Sequence, residues 1–226
     1  MGSTEVNRGG ISLIGLYGLL RSHFGFRNWW PGDTKDEIII GAILTQQTTW
    51  RNVERAIENL KSEGLVSIES IAACKRSRLE KLIRSTGYYR QKSIRLIDFC
   101  KIISSSYGGF AGMERLGDDE MRDALLSING VGPETADSIM LYAAGRKRFV
   151  VDAYTKRIFS RIYGTDVEIP YDEMQEFITS RIPRKLRIYK DFHAQLVELG
   201  KNNCKAVPEC GTCPAAEYCM HANRNS

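Results

Sequence analysis

The sequence predicts an all-α fold, and three observations predict it. Apolar residues recur at helical spacing along nearly the whole chain, from Ile11 to Lys201. The breaks between these runs are rich in Gly, Pro, Asn and Ser, which stop helices and form turns. No stretch of consequence alternates apolar and polar residues as a half-buried strand would, and there is neither an internal repeat nor a low-complexity segment.

The elements follow in order. Residues 1–10 are polar and are expected to be disordered, with no signal peptide visible among them. Ile11 to Phe24 reads as an apolar helix through Leu13, Ile14, Leu16, Tyr17, Leu19 and Leu20. The following Trp29-Trp30-Pro31-Gly32 cannot turn both indoles to one core in a regular element, so at least one lies in a loop. Asp36 to Leu44 is a strongly apolar helix ending in Thr45-Gln46-Gln47-Thr48-Thr49-Trp50. Helices follow over 52–63, 67–74 and 78–86, the last stopped by Gly87. Arg90 to Ser105 is amphipathic, with Ile94, Leu96, Ile97, Phe99 and Ile102 facing inward. Cys74 and Cys100 sit on apolar faces as buried free thiols.

The central stretch comes next. Asp118 to Ile128 is a helix broken by Asn129-Gly130-Val131-Gly132, where Gly and Asn tolerate positive φ. Pro133 fits the first position of the next helix. Phe149-Val150-Val151 is extended, and Asp152 caps a helix from Ala153 to Ile162. Tyr171 to Ser180 and Lys185 to Lys201 complete the helical inventory. A glycine turn at a helix start presents backbone N–H groups that attract phosphate. A carboxylate follows 20 residues after Gly132. One motif could hold a nucleic-acid backbone while the other presents an acid to the sugar.

Charge and cysteine bound the class. At 226 residues the chain suffices for one large domain or two small ones, and the net charge of +5 is mildly basic. Its distribution says more. From Lys75 to Arg95 there are eight Lys/Arg and one acid, Glu80, and a second cluster comprises Arg181, Arg184, Lys185, Arg187 and Lys190. Such tracks either lie on solvated helix faces or neutralise phosphates. No apolar run approaches the roughly 18 residues of a membrane span, so the chain is expected to be intracellular, where six cysteines do not form a disulfide framework. Cys204, Cys210, Cys213 and Cys219 give C-x5-C-x2-C-x5-C. Four thiols this close point to a metal centre. Paired Cys-x-x-Cys knuckles are usual for zinc and only one is present, so the loop suits a [4Fe-4S] cluster, with zinc or disulfides as alternatives.

Leu126 to Ala136, with Val150-Val151-Asp152-Ala153-Tyr154-Thr155-Lys156-Arg157, resembles the helix-hairpin-helix DNA glycosylase superfamily that includes endonuclease III. The resemblance runs from about Gly32 to Cys219. It implies two helical lobes with a DNA cleft between them: an N-terminal helix over 1–33, a lobe over 34–133 ending in the hairpin, a lobe over 134–203 with the catalytic acid, and the cluster loop over 204–219. It implies a DNA-repair glycosylase acting on double-stranded DNA that contains a damaged or mismatched base, monomeric and cytoplasmic or nucleoid-associated. Asp152 would be the catalytic acid; Asp137, one turn into the hairpin helix, is the rival and reads as a surface or cap group. Asn129, Gly130, Val131, Gly132 and Thr135 would meet DNA phosphate. Trp29, Trp30, Gln46, Gln47, Trp50 and Tyr88 would line the base pocket or enter the duplex, with Gln46 inserting and Tyr88 as a wedge after Gly87.

Bifunctional relatives carry a nucleophilic Lys where this chain has Glu134, which implies base removal by water without strand cleavage. The aromatics favour a cationic alkylated purine such as 3-methyladenine. The alternatives are a uracil or thymine mismatch glycosylase, a bifunctional endonuclease III-like enzyme, or a DNA-binding protein without chemistry. Endonuclease III relatives have six residues in the first cysteine gap, whereas this chain has five. His23 and His193 have no identifiable partner in the sequence and read as structural.

Overall fold

A computed structural model describes residues 10–27 and 29–224. The expected disorder of residues 1–10 falls almost wholly outside them. The described residues contain helices and no strand. They divide into two compact units: one holds the N-terminal segment through Trp29 together with Lys147 onward, the other Trp30–Arg146.

The first unit begins with α1, Leu13–Phe24, whose start is fixed by Ser12: its hydroxyl accepts from the Gly15 N–H at 3.1 Å. The expected helix is observed; Ile14 faces solvent on it, while Leu13, Leu16, Tyr17 and Leu20 are buried.

The second unit contains α2 (Lys35–Leu44), α3 (Trp50–Ser62), α4 (Ile68–Ala72) and α5 (Arg76–Leu82), then a 3-10 turn over Arg84–Thr86. It continues with α6 (Tyr89–Tyr107), α7 (Phe110–Met113), α8 (Asp118–Leu126) and α9 (Pro133–Ser138), the last running on as a wider π-type turn over Ile139–Ala143. Thr34 caps α2 by accepting from Glu37 N–H. Asp36 reaches across to accept from Ile68 N–H at 3.0 Å, tying α2 to the start of α4. The core is built from Ile39, Ile40, Leu44, Leu60, Ile71, Phe99, Met113, Leu125 and Met140, all at or near zero exposure. Within α6 the buried face is Leu96, Ile97, Phe99, Cys100 and Ile103; Ile94 and Ile102, expected inward, are exposed. Cys100 is buried as expected, and burial pushes its thiol pKa far up; Cys74 is only partly buried.

The chain returns to the first unit with α10 (Ala153–Tyr163), α11 (Tyr171–Thr179), α12 (Leu186–Asn202) and α13 (Met220–Arg224). α12 packs on both α1 and α10. Buried Asp191 on α12 joins these sequence-distant parts: it accepts from the Tyr17 hydroxyl at 2.7 Å, Arg27 N–H at 2.9 Å and Gln195 Nε2 at 3.1 Å. No helix among the described residues is long and apolar enough to cross a membrane.

Candidate active site

In the first unit the candidate acid, Asp152, opens α10. Its backbone is extended at the start of α10, and its Oδ1 accepts from Thr155 N–H at 2.7 Å and from the Thr155 hydroxyl at 2.8 Å. That is an N-cap, worth about 1 kcal/mol to a helix. Oδ2 faces Nε2 of His193 at 3.6 Å, just past hydrogen-bond length. The Asp152 side chain is 13% exposed, so the carboxylate is screened from bulk water and still reachable. Burial alone would raise its pKa; the contact with His193 and the Thr155 donors overcome this and hold it below the usual carboxylate value. The group is therefore ionised, the form that stabilises a developing positive charge. His193, which reads from the sequence as structural and without a partner, meets Asp152 in the fold. It lies 41 positions after Asp152 in α12, and no local pattern links the two. Phe149 stands edge-on to its ring, with centroids 6.4 Å apart.

α10 is fastened to the cysteine loop. Arg157 Nε donates to the Cys204 carbonyl at 2.8 Å. Arg161 donates to Lys205 O at 2.6 Å, Ala206 O at 2.9 Å and the Cys204 sulfur at 3.3 Å, while the Cys219 thiol reaches the Arg161 carbonyl at 3.4 Å. Cys204, Cys210, Cys213 and Cys219 line one small cavity together with Ile162, Leu199, Ala215 and His221. Burial raises the Cys213 thiol pKa, and the other three cysteines add to that rise, which places all four within electrostatic reach. Among the described residues, no three His, Cys, Asp or Glu side chains converge closely enough to hold a single metal ion. Beside the loop, Lys201 lies over the Trp29 ring at 4.9 Å and Lys205 pairs with Glu209 at 2.6 Å.

In the second unit the glycine turn connects α8 to α9. Gly130 has φ +87°, and a Cβ there would meet the Arg95 side chain at 2.6 Å. Gly132, the N-cap of α9, has ordinary extended backbone and open space around its Cβ position. Asn129 and Gly132 are exposed. Val131 turns inward, its N–H bound to Ile128 O at 3.0 Å. Thr135 is buried, and its hydroxyl accepts from Gln46 Nε2 at 3.0 Å; the same Nε2 donates to Gly130 O at 2.9 Å. Gln46 thus braces the turn from α2. Its neighbour Gln47 is exposed with φ 53°. Asp137, read from the sequence as a surface or cap group, is fully buried and receives the Arg122 guanidinium at 2.9 Å. A carboxylate neutralised in this way is not available to a substrate.

Two of the six expected pocket groups, Trp30 and Trp50, meet in the second unit. Trp30 stands edge-on to Trp50, with centroids 5.2 Å apart, and lies 5.3 Å from Tyr142 in the π-type turn. Gly41 lets this cluster close against α2, because a Cβ there would meet the Trp30 indole nitrogen at 3.2 Å. Trp29 belongs to the other unit. Tyr88 is 65% exposed, with left-handed backbone at the start of α6. The basic track from Lys75 to Arg95 is narrower than its sequence suggests, because Lys92 points into the core.

Residues 40–184 match the HhH-GPD superfamily of base excision DNA repair proteins. The chain belongs to this family. Among HhH-GPD relatives, the "Putative DNA repair glycosylase" of Methanocaldococcus jannaschii is 46% identical over 207 residues, covering 91% of this chain and 94% of the relative. Endonuclease III of Thermotoga maritima is 28% identical over 188 residues, with 83% of each chain covered. In structure, the chain resembles the H. pylori 3-methyladenine DNA glycosylase crystallised with 1,N6-ethenoadenine: TM-score 0.76, 29% identity, 84% of this chain and 98% of that one. An endonuclease III–DNA complex shares the fold at TM-score 0.80 and 24% identity, covering 93% and 94%. The all-α HhH-GPD fold expected from the hairpin is the fold observed.

Proposed function

We propose that this protein is a monofunctional DNA glycosylase that binds damaged duplex DNA, extrudes one base and hydrolyses its N-glycosidic bond, with an alkylated purine as substrate. The observation that carries the proposal is Asp152: a nearly buried carboxylate, held ionised at a helix N-terminus beside His193. Cleavage of the glycosidic bond builds positive charge on the sugar ring, and a fixed anion next to the anomeric carbon stabilises that state. The same carboxylate can orient a water for attack. Glu134, exposed in the first turn of α9 where bifunctional relatives carry Lys, is no Schiff-base nucleophile. The alkylated-purine reading draws on the aromatic group of Trp30, Trp50 and Tyr142 and on the likeness to the 3-methyladenine enzyme.

The second unit supplies the DNA contacts in this reading. Backbone N–H groups around Asn129, Gly130 and Gly132 receive phosphate. Gln47, rather than Gln46, fills the gap left by the extruded base, because Gln46 is occupied by the hairpin while Gln47 stands at an exposed tip. Tyr88 enters the duplex as a wedge.

The four cysteines fit a [4Fe-4S] cluster in number and ligand type: they line one cavity, and all belong to one loop. Bound there, the cluster would supply iron–thiolate bonds that cross-link the loop. Arg157 and Arg161 would pass that order on to α10 and so to Asp152.

The test uses duplexes that each carry one lesion, incubated with the protein and then treated with hot alkali. Alkali-dependent scission on alkylated purines is expected. Scission without alkali would overturn the monofunctional reading. Tight DNA binding with no scission on any lesion would make the chain a binding protein. Asp152→Asn should abolish excision and leave DNA affinity intact, since Asn caps a helix as well as Asp; full activity in that variant would remove Asp152 from the mechanism.

A further inference from the structure

Among the described residues, only Gln47 and Tyr88 adopt left-handed backbone without being glycine, with φ 53° and 45°. Both are exposed. Strained conformations of this kind persist where the surrounding structure fixes them, and they cluster at functional positions. Gln47 follows the end of α2; Tyr88 opens α6 after Gly87. One buried group joins the two turns. Lys92 Nζ donates to Leu44 O at 2.9 Å, at the base of the Gln47 turn, and to Thr86 O at 2.7 Å, at the base of the Tyr88 turn.

The position is unfavourable for a cation on two counts. Lys92 lies in the first turn of α6, at the positive end of the helix dipole. It is 3% exposed, and among the described residues it reaches carbonyl oxygens but no carboxylate. Burial lowers its pKa to about 8. An apolar side chain would avoid both penalties. What the ammonium adds is a bridge between two carbonyls remote in sequence, each just below an exposed tip.

We infer that Lys92 is a positioning residue that locks the Gln47 and Tyr88 turns to one another, so that both side chains enter the duplex as a single rigid fork. The inference rests on the proposed insertion roles of the two tips. Filling the vacated gap and wedging the neighbouring step must happen together, and each is effective only in a fixed geometry. Without the bridge each turn can relax on its own, and duplex opening loses that coordination.

The experiment follows base extrusion by the fluorescence of 2-aminopurine placed next to a lesion in duplex DNA, with the affinity for the same duplex measured in parallel. Lys92→Met keeps the length and packing of the side chain and removes the bridge. Extrusion should fall about 10- to 100-fold, while affinity, set mainly by phosphate contacts, stays near wild type. Undiminished extrusion, or extrusion and affinity falling together, overturns the inference. If Lys92→Met does not fold, Gln47→Ala and Tyr88→Ala in the native background decide instead. A rigid fork makes the double variant no worse than the poorer single one, whereas multiplying losses show two independent tips. Wild-type protein that extrudes no base sinks the glycosylase reading and this inference together; wild-type extrusion with an unaffected Lys92→Met variant sinks the fork alone.

Discussion

His193 shows how one contact sets the working range of another residue. Asp152 is mostly buried, which by itself favours the neutral acid, and His193 at 3.6 Å reverses this with help from Thr155. A depressed carboxyl pKa means that Asp152 stabilises the fold above the ordinary value of about 4. That stability is lost as pH falls through the lower folded-state value. Activity should show the same dependence, with an acid limb set below the usual carboxylate range. Replacing His193 by Leu keeps a side chain of similar bulk and leaves burial opposed only by Thr155. The acid limb of the pH–rate profile should then move to higher pH. A limb that stays in place in His193→Leu would show that the ring acts through packing alone.

At the level of elements, the hairpin assigns its two glycines different tasks. Gly130 is needed for the turn: φ +87° is strained for any other residue, and Arg95 would have to swing aside. Gly130→Ala should lower stability by about 1–2 kcal/mol, measured by denaturant unfolding. Gly132 has neither constraint, so Gly132→Ala should melt close to wild type, and if the proposed phosphate contact lies at this turn it should bind DNA more weakly. Wild-type affinity in that variant would separate Gly132 from the DNA contact. The helices, the Asp152 cap and this turn were legible because their signals are local: Asp152 opens the run from Ala153, and Pro133 follows a glycine, whereas the Ser12 and Thr34 caps emerge only in the fold. What the sequence hid depends on partners far along the chain. Asp137 looked exposed because Arg122 lies on another helix. Lys92 looked like one more surface cation because Leu44 and Thr86, which receive it, precede it in other elements. Ile94 and Ile102 were assigned inward by periodicity, but the face that α6 buries is centred on Leu96, Phe99 and Ile103.

Over the whole molecule, the first unit is discontinuous in sequence, with α1 joined to α12 through Asp191 and α10 joined to the cysteine loop through two arginines. Purified protein should be brown and contain about four irons per chain. Cys213→Ser should reduce the iron content and lower the melting temperature of the protein. Colourless protein with one zinc per chain would refute the cluster. The arginine contacts also determine where this loop can change length during divergence. Arg161 holds the carbonyls of Lys205 and Ala206, and Glu209 N–H is bound to Asn203 O at 2.9 Å. Between those anchors Val207, 82% exposed, and Pro208 are the slack. Insertions at Val207 should therefore be tolerated, whereas insertions before Ala206 would disturb the contacts that tie the loop to α10.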